Sequence, residues 1–285
     1  MTMTKKVCIT TDCVCDLPED MLEEYNIPII YFYINTDHGC FKDMDEITSG
    51  NIVEYFENGG KMISTNAPFP NEFEDFFGKV LQDYDEIIHI TITSTLSLSA
   101  KYATEAAKKF RGRVQVFDSG HLSTGIGHLV IKAAELVREG KSTEEILTLL
   151  DGIKDKVSTS FIAESTDYLY RTGRVSKTVN VICTAFKIHP VLKMKNGVMK
   201  LSSIQIGSYN RCVIRYIRKE MKDAAKIKKD RLFITHSSCT IKMITRAKKA
   251  VAEICDFEQV MVTKASATIS SNCGANTIGV LFVRE

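Results

Sequence analysis

The chain has 285 residues, of which 44% are hydrophobic and 25% are charged, as is typical of a globular protein large enough for two domains. The formal net charge is only +2 and no long basic run occurs, so we expect no nucleic-acid binding. No apolar run reaches the roughly 18 residues that a membrane helix needs, and the first residues, MTMTKKVCITTDC, do not form a signal peptide. We therefore expect a cytoplasmic protein without stable membrane insertion.

The cysteines give a further indication of the compartment. Nine of them are scattered from Cys8 to Cys273, and none forms a CxxC pair. An odd number of dispersed thiols, several of them in apolar runs, suits a reducing compartment better than a disulfide framework or a zinc site. We expect neither a metal nor a cofactor.

In the first half of the chain, strand-like apolar runs alternate with helical patterns. Strands are predicted over 5–12, 27–34, 86–92 and 113–119, and helices over 15–25, 47–60, 70–84, 98–110, 121–140 and 142–157. Asp16 is the predicted N-cap of the first helix, and Ser142 with Glu145 forms a capping-box pattern before the last. This alternation predicts a mostly parallel sheet flanked by helices.

The pattern changes after about residue 157. Asn196-Gly197 lies between two strand-like runs and predicts a hairpin. Helices are then predicted over 211–225 and 240–255, and strands over 231–238, 258–265 and 276–285. We therefore predict an α/β protein of two domains: an N-terminal parallel α/β domain, residues 1–157, and a C-terminal mixed α/β sheet domain, residues 158–285.

Hydroxyl side chains cluster where predicted strands turn into helices. The stretch TITSTLSLSA, residues 91–100, has six of them in ten positions, and similar junctions occur at 64–66 and 118–123. Ser and Thr favour turns and helix caps, so one or two hydroxyls need no function. Six hydroxyl groups at the carboxyl end of a parallel strand, beside a helix N-terminus, could also bind a small anion such as a phosphate or a carboxylate. Both interpretations stay open at this point.

The other short motifs do not match a known nucleotide-binding or catalytic motif. GKST at 140–143 lacks the first glycine of a phosphate-binding loop, and Gly125-Ile126-Gly127 lacks the third glycine of a dinucleotide fingerprint. His89 lies in an apolar strand and is predicted to be a core residue, whereas His236 at a strand end is a better site candidate. No GxSxG nucleophile motif occurs.

An ordered set of short motifs resembles the DegV family of bacterial fatty-acid-binding proteins. The motifs span nearly the whole chain: TTDCVCDLP, TNAPFPNEF, ITSTLSLSAKY, VFDSGHLSTGIG, YLYRTGRVS, FKIHPVLKMKNG and SSNCGANTIGVLF. The resemblance implies two α/β domains that hold one long-chain fatty acid in a tunnel between them, without catalysis of their own. It also implies, for some members, a partner: the ATP-binding subunit of a fatty acid kinase, which makes acyl phosphate for phospholipid synthesis.

The resemblance also implies which residues bind the lipid. Thr65 matches the family's carboxylate-binding threonine, and Ser97, with Ser94 as the alternative, matches its carboxylate-binding serine. Asn272 stands where the family has a histidine, and Arg174 matches the arginine of its GGR motif. A secondary shell around the headgroup is therefore expected from Asn272, Arg174, Ser119 and His236.

Two other functions compete with a fatty-acid carrier. One is an enzyme that acts on a small phosphate or carboxylate at the same hydroxyl-rich site, with His121 or His236 as its base. The other is a purely structural or interaction protein, against which the three hydroxyl junctions argue.

Overall fold

The computed structural model describes residues 5–60, 63–171 and 176–285. A parallel sheet forms in the N-terminal half, with strand order β2-β1-β6-β7. Its strands are β1 (Val7–Asp12), β2 (Ile29–Ile30), β6 (Glu86–Thr91) and β7 (Val114–Asp118). Beside it lies a small antiparallel sheet, ordered β4-β3-β5, of β3 (Tyr33–Thr36), β4 (Gly39–Lys42) and β5 (Ser64–Asn66).

A six-stranded mixed sheet, ordered β10-β9-β8-β13-β11-β12, forms in the C-terminal half. Its strands are β8 (Val157–Ile162), β9 (Ile188–Lys195), β10 (Val198–Ile206), β11 (Ile227–His236), β12 (Gln259–Lys264) and β13 (Ile278–Arg284). A parallel sheet followed by a mixed sheet confirms the predicted fold class. The boundary at 157/158 stays a prediction, and the first strand of the mixed sheet begins at Val157.

Eleven helices connect and cover these sheets in the part of the chain that the structure describes. They are α1 (Glu19–Glu24), α2 (Ser49–Glu57), α3 (Pro70–Val80), α4 (Ser99–Ala107), α5 (Thr124–Arg138), α6 (Thr143–Lys154), α7 (Asp167–Arg171), α8 (Lys177–Ala185), α9 (Tyr209–Glu220), α10 (Ile241–Ala252) and α11 (Ala267–Cys273). The described helices include none with both the length and the apolar character needed to span a bilayer. All nine cysteines lie in the described ranges and are free thiols.

Several local predictions are confirmed. Ser142 and Glu145 cap α6 reciprocally, since each side chain accepts the backbone N–H of the other residue. Asn196 and Gly197 form the turn between β9 and β10, and both have positive φ, 51° and 74°, as a two-residue hairpin turn requires. His89 is fully buried, as predicted for a core residue.

Two local predictions are wrong. The predicted strand over 27–34 is divided between β2 and β3, which belong to different sheets, because a continuous apolar run does not reveal where a chain changes sheet. Asp16 does not cap the first helix, since it lies at φ 53° after a 3-10 turn and α1 begins only at Glu19, after Pro18. The Asp16 carboxylate is buried and has partners elsewhere in the fold.

Helix α5 is the central element of the core. It packs against β1 and β6 of the parallel sheet and against β8 and β13 of the mixed sheet, and most of its residues are buried. Gly125 and Gly127 permit this close approach. A Cβ atom on Gly125 would lie 2.1 Å from Thr159 Oγ1, and one on Gly127 would lie 2.7 Å from Leu17 Cδ2. These glycines therefore serve helix packing, in keeping with the absence of a dinucleotide fingerprint.

This packing makes Gly125→Ala destabilising. The added methyl group must displace Thr159, so we expect the free energy of unfolding to fall by about 1–3 kcal/mol. Gly152→Ala in α6 is the matched control, because its Cβ would meet nothing within 4 Å. That variant should be more stable than the wild type by up to about 1 kcal/mol. Urea denaturation of both variants measures the contrast, and equal effects would contradict the packing role of Gly125.

Candidate functional site

A cavity of about 420 Å³ lies between the hydroxyl-rich loops of the N-terminal half and the mixed sheet. Its apolar lining consists of Phe32, Ala67, Phe69, Ile92, Leu96, Leu98, Tyr102, Leu122, Phe161, Leu169, Met199, Ala265, Ile269, Cys273, Gly279 and Leu281. Its polar lining consists of Thr65, Asn66, Ser94, Thr95, Ser97, Ser123, Thr159, Ser160, Thr235, His236, Ser237, Thr268, Asn272 and Thr277. Within the described ranges no Asp, Glu, Lys or Arg lines it, so its wall carries hydroxyls and amides but no fixed charge.

Thr65 reaches the cavity from β5. This strand pairs with β3, and Thr65 lies opposite Ile34, a fully buried residue that fixes the strand against the core. After β5 the chain passes Phe69 and enters α3 at Pro70, where the Glu72 carboxylate accepts the Phe69 N–H at 2.8 Å. The strand and the helix cap thus hold the Thr65 segment at the cavity wall.

The loop between β6 and α4, residues 92–98, brings Ser94 and Ser97 to the same cavity, and we call it the hydroxyl loop. The Ser97 Oγ accepts the Ser99 N–H at 3.2 Å, which leaves the Ser97 O–H proton able to donate to a ligand. Ser94 is held through its backbone, whose N–H donates to Asp118 at 3.1 Å. The structure therefore places Thr65, Ser94 and Ser97 around one cavity, as neutral donors.

Asp12 anchors both ends of the hydroxyl loop. Its buried carboxylate accepts the Ile92 N–H at 2.9 Å and the Ser99 O–H at 2.7 Å. His89 Nε2 lies 3.4 Å from the same carboxylate. Asp12 thus acts through the loop on the position of Ser94 and Ser97, a role that the sequence analysis missed.

The opposite wall of the cavity includes α11, and two further buried carboxylates hold this helix. Asp43 accepts the Ala267 N–H at 2.7 Å and the Thr268 N–H at 2.8 Å. Asp16 accepts the Ser266 N–H at 2.9 Å and the Ser123 hydroxyl. These bonds tie α11, in the C-terminal half, to loops of the N-terminal half.

The other predicted headgroup residues are not all at the cavity. Asn272 and His236 line it, and the Asn272 Nδ2 donates to the Thr268 carbonyl at 2.8 Å. Ser119 does not line it, because its hydroxyl is buried and accepts the His121 N–H at 3.0 Å. Arg174 lies outside the described residues.

The histidines near the hydroxyls are poor candidates for a catalytic base. Burial, and then the charge of Lys264, lower the pKa of His236, whose Nδ1 accepts the Cys239 N–H at 3.3 Å. His121 does not line the cavity, and its two ring nitrogens lie within hydrogen-bonding distance of the Thr159 hydroxyl and the Lys154 carbonyl. Burial lowers the pKa of His121 as well. Because the Nδ1 of His236 already accepts a hydrogen bond, its neutral ring carries the proton on Nε2, which can donate to a ligand but cannot take up a proton from it.

Burial raises the pKa of Asp16 from an ordinary value of 3.8 to about 7, despite the hydrogen bonds from Ser123 and Ser266. The folded state therefore holds a proton that the unfolded state releases above pH 4, so this group's contribution to stability falls as pH rises to about 7. Between about pH 4 and pH 7 the unfolding free energy of the wild type should fall, relative to that of Asp16→Asn, by up to ~1.4 kcal/mol per pH unit. Above about pH 7 the difference between the two proteins should stay nearly constant.

Urea denaturation between pH 4.5 and 8.5 measures this difference. The amide that Asp16→Asn introduces can accept the Ser266 N–H and donate to the Ser123 oxygen, so both contacts survive the substitution. Asp83→Asn, at an exposed position, is the control and should follow the wild type. Curves for Asp16→Asn and wild type that run parallel over the whole range would refute the raised pKa.

Comparison with known proteins gives a family for the chain. The model of the DegV family, a family of uncharacterised proteins, matches residues 6–285. A DegV domain-containing protein of Caldanaerobacter subterraneus is 30% identical over 281 residues, which cover 98% of this chain and 99% of the relative. A DegV domain-containing protein of Staphylococcus aureus is 27% identical over 286 residues, with 99% and 100% of the two chains covered.

Solved structures agree with the fold. A DegV family protein from Thermus thermophilus, described for its fatty-acid binding, superposes with a TM-score of 0.89 at 26% identity over 98% of this chain and all of the other. A DegV family protein from Eubacterium eligens, loaded with heptadecanoic acid, superposes with a TM-score of 0.85 at 21% identity, over 98% of this chain and all of the other.

Proposed function

Because this chain belongs to the DegV family, we propose that it binds one long-chain fatty acid in the cavity and holds the carboxylate at the hydroxyl end. The observation that supports this most is the composition of the cavity wall, which combines an apolar lining with hydroxyls and no fixed charge among the described residues. Fatty-acid binding is also what the Thermus thermophilus relative is described for. The cavity volume lies within the roughly 300–1,000 Å³ typical of small-molecule sites.

The two parts of a fatty acid make different demands on such a cavity. Transfer of the alkyl tail out of water contributes about 0.8 kcal/mol per buried CH₂, so the tail supplies most of the affinity. The carboxylate must keep hydrogen bonds, because a buried ionised group without partners is strongly unfavourable. Thr65, Ser97 and Ser94 supply O–H donors for that purpose.

The same neutral donors suit a protein that passes its ligand on. Phe69 and Leu98 line the cavity and are 52% and 53% exposed, so the wall beside Thr65 and the hydroxyl loop reaches the protein surface. We propose that this protein is itself non-catalytic and presents the carboxylate there to a separate fatty acid kinase, for acyl-phosphate formation. Release of a carboxylate from hydroxyls breaks no ion pair.

The lipid content of the purified protein tests the binding proposal. Native mass spectrometry of protein purified from its own cells should show one long-chain fatty acid per chain. Protein without bound lipid should take up palmitate or oleate in a one-to-one ratio. Absence of both would reject the proposal. The kinase step is tested separately, by adding ATP and a candidate kinase subunit to the loaded protein and trapping acyl phosphate with hydroxylamine.

A further inference from the structure

A second concave surface, about 940 Å³ in volume, adjoins the hydroxyl loop and has no role in the proposed function. We call it the basic groove, because five cations line it: Lys154, Lys156, Lys193, Lys195 and Arg284. We propose that the basic groove is a second ligand site and that it takes a soluble phosphate monoester. This inference does not depend on fatty-acid binding.

The mixed sheet brings the groove residues onto one face. Ser160 of β8 pairs with Lys193 of β9, so the side chains of this pair share a face. Side chains two residues apart along a strand also share a face, which adds Ser158 on β8 and Lys195 on β9. Ser158 also pairs with Phe282 of β13, and Arg284 lies two residues further along β13. Arg284 therefore lies on the same face of the sheet. The Ser158 hydroxyl, on β8, therefore lies on the same face as Lys195 of β9 and Arg284 of β13, the strands on either side of it.

Helix α9 covers this face only in part. Tyr216 on α9 packs over Ser160, with 2.9 Å between their hydroxyl oxygens. The helix ends at Glu220, whose carboxylate pairs with Lys193 at 3.0 Å. Ser158, on the same face of the sheet, is one of the residues that line the groove.

Positive charge in the groove is only partly neutralised. Lys154 pairs with Asp151 at 2.6 Å, and Lys193 with Glu220. Lys156, Lys195 and Arg284 make no ion pair within the described ranges of the chain, although Arg284 donates to the Glu220 carbonyl at 2.9 Å.

Two carboxylates, Asp118 and Asp155, line the groove as well. Asp118 accepts the Gly120 N–H at 2.9 Å and the Ser94 N–H at 3.1 Å, so two backbone dipoles already compensate its charge. The cations thus outnumber the carboxylates, and the groove favours an anion.

Ser158 is the independent observation that points to a ligand. It is 3% exposed, and its hydroxyl has no hydrogen-bond partner among the residues that the structure describes. A buried hydroxyl without a partner is unfavourable and uncommon. An anion oxygen in the groove would accept this O–H, while the ammonium groups balance its charge.

The number and kind of cations favour phosphate over carboxylate. A phosphate monoester carries nearly two negative charges at neutral pH and offers several acceptor oxygens, and lysine binds phosphate as a point charge. Lys156, Lys195 and Arg284 together suit such a dianion better than a single carboxylate. Ser94 and Thr95 line both the groove and the fatty-acid cavity, so the phosphate would lie across one loop from the acyl headgroup.

Calorimetric titration with glycerol 3-phosphate, inorganic phosphate and acetate, at constant ionic strength, tests this inference. The wild type should bind both phosphates, and acetate at least 10-fold more weakly. The double variant Lys156→Gln/Lys195→Gln should lose about 10-fold or more in phosphate affinity, which corresponds to about 1.4 kcal/mol. Ser158→Ala should also weaken phosphate binding several-fold, without lowering Tm, since the alanine removes an unpaired hydroxyl.

The control is Lys101→Gln/Lys248→Gln, which removes the same charge from exposed positions on α4 and α10. It should bind both phosphates as the wild type does, and all variants should take up palmitate normally. Absence of phosphate binding by the wild type, equal affinity for acetate, or an equal loss in the control variant would overturn the inference.

Discussion

The double variant Thr65→Val/Ser97→Ala is expected to bind palmitate about 100-fold more weakly than the wild type. Each substitution removes an O–H donor at the hydroxyl end of the cavity and keeps a side chain of similar or smaller size. A hydrogen bond to a charged group contributes about 1.5–3 kcal/mol, and a factor of 10 in affinity corresponds to about 1.4 kcal/mol. Competition against a fluorescent fatty acid measures the dissociation constants.

Two matched variants separate the hydroxyls' role from general effects. Thr65→Ser/Ser97→Thr keeps both hydroxyls and should retain binding within a few-fold of the wild type. Thr104→Val/Thr245→Val removes hydroxyls from exposed faces of α4 and α10 and should have no effect. If Thr65→Val/Ser97→Ala bound palmitate as tightly as the wild type, the carboxylate would not lie at these hydroxyls.

Asp12→Ala is expected to lower the free energy of unfolding by about 3 kcal/mol. The substitution removes the acceptor of the Ile92 N–H and of the Ser99 O–H, and so leaves two buried donors without partners. Because these bonds fix both ends of the hydroxyl loop, palmitate affinity should also fall, by at least about 10-fold. Urea denaturation and fatty-acid competition measure the two effects.

Asp12→Asn is the conservative partner of this variant. An amide can accept the Ile92 N–H through its oxygen and donate to the Ser99 hydroxyl, so both losses should be smaller than in Asp12→Ala. If Asp12→Ala unfolded less readily than Asp12→Asn, or bound palmitate as the wild type does, Asp12 would not anchor the loop.

The elements that the sequence predicts well are those whose pattern is local. Helix α5 shows a long periodic run, Ser142 with Glu145 is a cap motif, and Asn196-Gly197 is a turn motif that needs no distant partner. The hydroxyl-rich stretch after β6 could also be predicted to form a site, because the carboxyl ends of parallel strands lie at one edge of a sheet, where ligands bind. Ser94 and Ser97, which follow β6 of the parallel sheet, are placed by that rule, whereas Thr65 lies on β5 of the antiparallel sheet and is matched only through the family motifs.

The features that the sequence analysis missed depend on contacts between distant parts of the chain. Asp16 looked like a helix cap because Glu19 follows it, whereas its partners, Ser123 and Ser266, are far away in the sequence. Asp43 binds backbone N–H groups of α11, more than 200 residues later. Helix α11 itself was not predicted, since ATISSNC is short and lacks an apolar period. No local pattern encodes such partners.

A crystal structure of the palmitate-loaded protein tests the central claim most directly. Our account predicts an acyl tail inside the apolar cavity, with its carboxylate oxygens within about 2.6–3.2 Å of the Thr65 and Ser97 hydroxyl oxygens. A palmitate bound with its carboxylate at another wall, or lying outside this cavity, would contradict the account.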